Sequence, residues 1–365
     1  MAEAAAWNRF AHWARFPARA VLALVLAALA LAAVTPIAAG EGPAKPPSLV
    51  SAGPARERDE DLKLYGDVIV RLRHGENYYA VIADEHRRHN YPLHPGFAVR
   101  LPTLAVITSL LPAGALIPLS LAMLGAVLLA WWRRLGEEAG GADMRLLAMA
   151  GLFFGASLGT TRYFFVLHEL WAGQLLALSF ALHRPQRGKW VGAWLAAAAA
   201  LALREHSLPF VLLMAAFAVW HRRWKEGAAW LALIALFAAA MVLHLHTVAG
   251  YVRPDDPPSA SWLALRGLSG WLSLEVLSSN LRWLPPMLAG PLVLASLFGW
   301  SGWKSPAGAF GTLLYLGYGT AFMFAGRPDN FYWGFMATPA LFIGLAFVPQ
   351  AVRGLVSAAF PVQQR

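Results

Sequence analysis

The 365-residue chain contains no cysteine. That absence excludes disulfides and thiolate metal sites, and with them the small disulfide-stapled and zinc-ribbon classes. Charge is also scarce: 14% of residues are Asp, Glu, Lys or Arg, against 58% hydrophobic. Soluble domains carry about 25% charged and about 45–50% apolar residues. No phosphate-cradling P-loop, dinucleotide fingerprint, zinc-protease helix or nucleophile elbow occurs, so the common soluble enzyme classes lose their sequence support. No solenoid or collagen period is present either.

What remains is a chain of long apolar runs, which places it among polytopic membrane proteins. The net charge of +10 does not mark a nucleic-acid binder, because the basic residues sit at the ends of the apolar runs. There they report topology and contact with anionic membrane lipid. The 16 tryptophans suit interfacial belts, where the ring is buried and the indole N–H stays wet.

The expected architecture is an all-α polytopic membrane protein with about ten transmembrane helices and a large first external loop carrying short interfacial helices. Residues 1–16 are read as a cytoplasmic N-terminus and 17–39 as the first transmembrane helix. That run is too long for a typical signal-peptide core, so an uncleaved anchor is preferred. Residues 40–98 form the external loop, 99–350 the transmembrane helical bundle and 351–365 a cytoplasmic tail. Within the loop, Leu62, Tyr65, Ile69 and Leu72 recur at helical spacing over about 59–73, and Gly75 can terminate that helix. A second helix starts after Asn77, a good N-cap, and ends before Pro92. Further spans are expected as a short piece at 100–111, a full one ending at Arg133-Arg134, and two short ones between Arg145 and His183. Two more fall between Lys189 and His221, then others near 228–247, 284–300, 306–325 and 331–350, with 248–283 as a polar stretch. Arg133, Arg134, Arg145, Arg184, Arg187, Lys189, Arg222, Arg223 and Lys225 fall on the inner ends. The short outer loops hold few cations, so both termini are expected in the cytoplasm, as in a bacterial inner membrane.

This orientation collects Asp59–Asp67, His168-Glu169, Arg204-Glu205, His244/His246, Asp255-Asp256 and Arg327/Asp329 on the outer face. Charged residues at membrane depth cost about 2.5–3.5 kcal/mol each on insertion scales, so several on one face point to a shared polar cavity. Asp59, Glu60 and Asp61 stand at a helix start. An N-cap role and a proton-accepting role, with the carboxylate held ionised by the helix dipole, are compatible. Asp61 is favoured because Tyr65 lies one turn on; Asp67 is the reserve. His168-Glu169 is read either as a pair pinning a turn or as an intramembrane functional pair. Arg204-Glu205 is either an ion pair between two helices or a phosphate contact through the guanidinium fork. Arg327, Asp329 and Tyr332 are either a solvated loop or a phosphate or sugar contact. His244 and His246, two residues apart on a helix, face different directions, and no metal site is assigned.

Asp61-Leu-Lys-Leu-Tyr65, Gly75-Glu-Asn-Tyr-Tyr79, Tyr91-Pro92, Val99-Arg-Leu-Pro-Thr103, His168-Glu169, Arg204-Glu205 and Phe331-Tyr-Trp-Gly334 resemble, in order and placement, a bacterial branch of the GT-C superfamily of polytopic membrane glycosyltransferases. The resemblance spans about residues 17–350, and its motifs are short. It implies a polyprenyl-phosphate sugar donor and an acceptor glycan, lipid or protein at the external face. A first-loop carboxylate, placed on Asp61, would be the general base, with Asp59, Glu60 and Asp67 in reserve. Arg204, Glu205, His168, Glu169, Arg327, Tyr65 and Tyr332 would meet donor phosphate or sugar. The family's loop usually carries one acid or a tight acidic pair, whereas four acids compete here. No organic cofactor is implied. Some members of the superfamily need a divalent cation and others do not.

Overall fold

The computed structural model describes residues 14–37, 60–112, 114–327 and 330–361. The regular structure of these residues is helical, with turns and loops between the helices and isolated β-bridges in place of strands. Helix α1 (Arg15–Val34) is an alanine/leucine span. It packs along two later helices, α12 (Pro286–Gly302) and α15 (Val348–Ala359). Helix α2 (Glu60–Arg73) buries Leu62, Leu64, Val68 and Ile69 on one side while Lys63 and Val70 face outward. It stops at Gly75, whose φ of +85° suits glycine. Asn77 then caps α3 (Tyr78–Arg88), its side chain accepting from the N–H groups of Tyr79 (3.0 Å) and Ala80 (3.3 Å). Both loop helices therefore form where the local signals place them. They pack on each other, and α2 also packs on α4 (Thr103–Leu110).

The bundle continues with α5 (Leu116–Glu137), α6 (Arg145–Ala156), α7 (His168–Leu182), α8 (Val191–Leu203), α9 (Leu208–Trp220) and α10 (Trp224–Ala249). After α11 (Gly267–Leu277) and α12 come α13 (Pro306–Phe324), the single turn α14 (Thr338–Leu341) and α15. Among the described residues, four stretches are long and apolar enough to cross a membrane: Phe16–Val34, Leu116–Glu137, Trp224–Ala249 and Thr338–Ala359. Five shorter apolar helices accompany them. Leu231, Leu236, Val242 and Leu243 of α10 are all more than half exposed. An apolar strip of this kind belongs against lipid, since water-facing patches of that extent are rare on soluble monomers. The chain is thus an all-helical protein with the length and surface of membrane spans.

Two regions depart from the expected layout. The stretch 248–283 is polar only in its first part; Gly267–Leu277 is a helix whose Gly270–Val276 segment is entirely buried. Its fully apolar-ringed packing removes the amphipathic signal that would have exposed it as a helix. The second region is 331–347, which is two 3₁₀ stretches (Phe331–Met336 and Phe342–Phe347) joined by α14, not a continuous α-helix. Pro339 sits in the first turn of α14. The backbone here runs close to its neighbours: a Cβ on Gly173 of α7 would lie 1.8 Å from the Phe335 carbonyl oxygen, and one on Gly299 of α12 1.8 Å from that of Gly344. Glycines on the facing helices make room for an irregular buried segment. Helix α15 then runs past residue 350 to Ala359.

Candidate functional site

The loops at one end of the bundle enclose a cavity of about 300 Å³. Helices α2 and α3 supply Leu64, Tyr65 and His86; the 3₁₀ turn between α8 and α9 supplies Arg204, Glu205 and His206. The segment after α13 supplies Arg327, Asn330 and Tyr332, and Arg100 enters just before α4. Backbone pairing of Trp262–Arg266 with Met323–Gly326, through Ala264 N–H to Phe324 O (3.1 Å) and Gly326 N–H to Trp262 O (2.8 Å), brings Trp262 under Arg327. The Arg327 guanidinium carbon lies 5.4 Å from the Trp262 ring centroid. The first loop is tied to this end by Arg87, which donates to both Asp256 oxygens at 2.7 and 2.9 Å. His244 ties it again, 3.1 Å from the Tyr79 hydroxyl and 3.1 Å from the Val99 carbonyl oxygen.

Behind the cavity wall lies a chain of charges. Glu169, wholly buried, accepts from Arg100 Nη1 at 2.5 Å and sits 2.8 Å from Arg204 Nε. Arg204 also pairs with Glu205. Arg100 donates through Nε to the Tyr65 hydroxyl at 2.7 Å and lies 5.1 Å from the Tyr65 and 5.3 Å from the Tyr332 ring centroid. Asn330 donates to the Tyr332 hydroxyl (3.1 Å) and accepts from the Arg327 N–H (3.1 Å), which fixes that segment's turn. Burying two guanidiniums without counter-charge would be prohibitive, and Glu169 and Glu205 supply the compensation. The buried Nε of Arg327 has no hydrogen-bond partner among the described residues, and neither has that of Arg204, although the latter stands 2.8 Å from Glu169 as an ion pair. Among the described side chains, three guanidiniums against two carboxylates leave one formal positive charge, which suits a single anion.

Of the residues singled out in the sequence, Tyr65, Arg204, Glu205, Arg327 and Tyr332 line this cavity together. His168 and Glu169 stand behind it. The His168 ring meets Tyr65 edge-on at 5.7 Å, and its Nε2 is 3.3 Å from the Leu101 carbonyl oxygen. Asp67 lies two residues beyond Tyr65, about 200° around the helix, and is 3.7 Å from His89. It is not at the cavity. Glu60 and Asp61 occupy the first turn of α2, with Asp61 one turn ahead of Tyr65. Asp59 and Asp329 lie outside the described residues. Among acids with described side chains, Glu205 lines the cavity. His244 points inward and His246 outward, as their spacing requires. His86, Arg100, His206, Trp262 and Asn330 also line the cavity and were not among the candidate site residues. Arg100 was signalled by its place just ahead of a short apolar helix, and His86 by its helical spacing from Ile82. Outside the bundle, the Arg87 guanidinium beside Asp256, helped by the Arg253 N–H, holds the Asp256 carboxyl below the usual carboxylate range.

No protein-family model, curated protein or solved structure matches the chain.

Proposed function

We propose that the chain is a GT-C-like membrane glycosyltransferase moving a sugar from a polyprenyl-phosphate donor to an acceptor hydroxyl at the external face. In this reading α1, α5 to α10, α12, α13 and the Thr338–Ala359 run make ten crossings, the short ones included, with both termini cytoplasmic and α2 and α3 on the outer surface. The observation that carries it is the cavity at the loop-helix end, where Arg327 has unspent donor capacity and the net formal charge suits one phosphate. Tyr65, Tyr332 and Trp262 offer aromatic surface for a sugar face.

The chemistry proceeds in one displacement. The acceptor oxygen attacks the anomeric carbon, the bond from that carbon to the phosphate oxygen breaks, and the lipid phosphate leaves with the electron pair. The acceptor proton passes to the first-loop carboxylate, assigned to Asp61 with Glu205 as the competing acid. Arg327 and Arg204 steady the charge gathering on the phosphate, while Glu169 holds Arg100 and Arg204 in place.

In a reconstituted transfer assay with a polyprenyl-phosphate sugar, Asp61→Asn abolishes turnover and leaves the thermal midpoint unchanged. Full activity in Asp61→Asn with loss in Glu205→Gln moves the base to Glu205; full activity in both, and in Asp59→Asn, Glu60→Gln and Asp67→Asn, rejects a carboxylate-assisted transfer. Movement of labelled lipid-linked sugar across the bilayer without transfer would replace the reading with a transport function.

A further inference from the structure

Beside the cavity wall, α2 and α3 carry a second cluster, built from Asp67, Glu85 and His89. One ligand-capable atom from each lies within 4.8 Å of the others. Glu85 and His89 are one turn apart on α3 and reach across to α2. The Glu85 side chain is wholly buried, and its two oxygens are used unequally. Oε1 accepts from Arg71 at 2.8 Å and lies 3.2 Å from Arg88. Among the described residues, Oε2 is buried with no hydrogen-bond partner and faces His89 Nε2, itself buried and without one, at 3.8 Å. Asp67 Oδ2 is 3.7 Å from the same nitrogen.

Those separations are informative. They exceed the roughly 2.7–3.2 Å of a nitrogen–oxygen hydrogen bond. Two ligands on a tetrahedral zinc-like ion, each about 2.0–2.2 Å from the metal, stand about 3.3–3.6 Å apart. A shift of a few tenths of an ångström brings both separations from His89 Nε2 into that range. Charge points the same way. The ion pairs around Glu85 join the carboxylates of Glu76, Asp84 and Glu85 to the guanidiniums of Arg71 and Arg88, and Asp67 adds a fourth carboxylate beside His89. Four negative charges against two positive leave −2, on a chain whose net charge is +10. A buried, unpartnered carboxylate oxygen aimed at an unpartnered imidazole nitrogen, inside an acidic island, is what a divalent cation satisfies.

We propose that Asp67, Glu85 and His89 bind one divalent transition-metal ion of zinc's kind, with a remaining position open to water beside the half-exposed Asp67. The mixed nitrogen–oxygen donor set disfavours calcium, which takes six to eight oxygens. The ion staples α2 to α3 and so stiffens the wall from which Leu64, Tyr65 and His86 enter the cavity. This assignment stands apart from glycosyl transfer and gives Asp67 a role other than catalysis.

The test uses the full chain in detergent micelles, stripped of metal and titrated with Zn²⁺ by calorimetry. One saturable site is expected, together with a rise in thermal midpoint on zinc addition. In His89→Gln and in Asp67→Asn, affinity falls at least about tenfold and the midpoint no longer responds to zinc. Unchanged zinc affinity in either variant, or no stoichiometric site in the wild-type chain, overturns the proposal. X-ray absorption on the zinc-loaded wild-type protein provides a reading independent of the variants' folding. One imidazole among oxygen ligands is expected, and two or more imidazoles would place the ion elsewhere and refute the site.

Discussion

Glu169→Gln is the sharpest perturbation of the charge chain behind the cavity. The substitution preserves shape but leaves Arg100 and Arg204, 6% and 5% exposed, facing each other across a neutral amide. Removing one partner of a buried ion pair costs about 3–5 kcal/mol because the remaining charge is buried and uncompensated. The lower end applies here: Arg204 retains Glu205, and Arg100 retains the Tyr65 hydroxyl at 2.7 Å. We expect a loss of about 3 kcal/mol in reversible denaturation in mixed micelles. Adding Arg100→Met removes the stranded charge and should recover about 1–3 kcal/mol, a coupling of the size seen for residues in direct contact. A Glu169→Gln protein within about 1 kcal/mol of wild type, or a double variant whose losses simply add, would refute the view that Glu169 is the counter-ion of the arginine pair.

Two further expectations concern packing and pH. Gly173→Ala drives a Cβ to 1.8 Å from the Phe335 carbonyl oxygen, a backbone atom that cannot rotate away. It should cost roughly 3 kcal/mol, the upper end for overpacking, whereas Gly317→Ala, with no atom within 4 Å, should be near neutral by thermal midpoint. Equal midpoints for the two would show that the 331–336 turn does not sit against α7. The Asp256 carboxyl is depressed by Arg87, so the stability it adds is fully present above its unfolded pKa of about 3.9 and is lost as pH falls through the lower folded value. Proteolysis or hydrogen exchange of residues 252–258 should therefore accelerate below about pH 4 in the wild type. In Asp256→Asn it should be fast at every pH, and a wild-type profile in that variant would exclude the link.

Much of this was legible from local pattern. The amphipathic spacing of α2, the Asn77 cap and the Gly75 stop are short-range signals, and helices obeyed them because each satisfies its own backbone within a few residues. Apolar runs marked the four stretches long enough to cross a membrane for the same reason, since lipid-facing backbone must close its hydrogen bonds internally. Helix α11 escaped because a segment buried on every side has no polar face to mark its period. The 331–347 segment escaped because its 3₁₀ path depends on glycines of α7 and α12, far away in the chain. His168-Glu169 read as one unit in sequence, but its two members serve different partners, Tyr65 and the arginine pair.

The sequence by itself determined an all-helical chain with apolar stretches long enough to cross a membrane and charged residues at their ends. Apolar length, capping and charge placement are local quantities, and no distant contact is needed to read them. Only the tertiary structure decided which of those polar residues share a cavity. Tyr65 and Asp67 differ by two positions, yet the turn of α2 sends one toward Arg100 and the other toward His89. Arg100, Arg204 and Glu169 meet from three separate segments, because buried charge is tolerated only where the fold brings its partner to it.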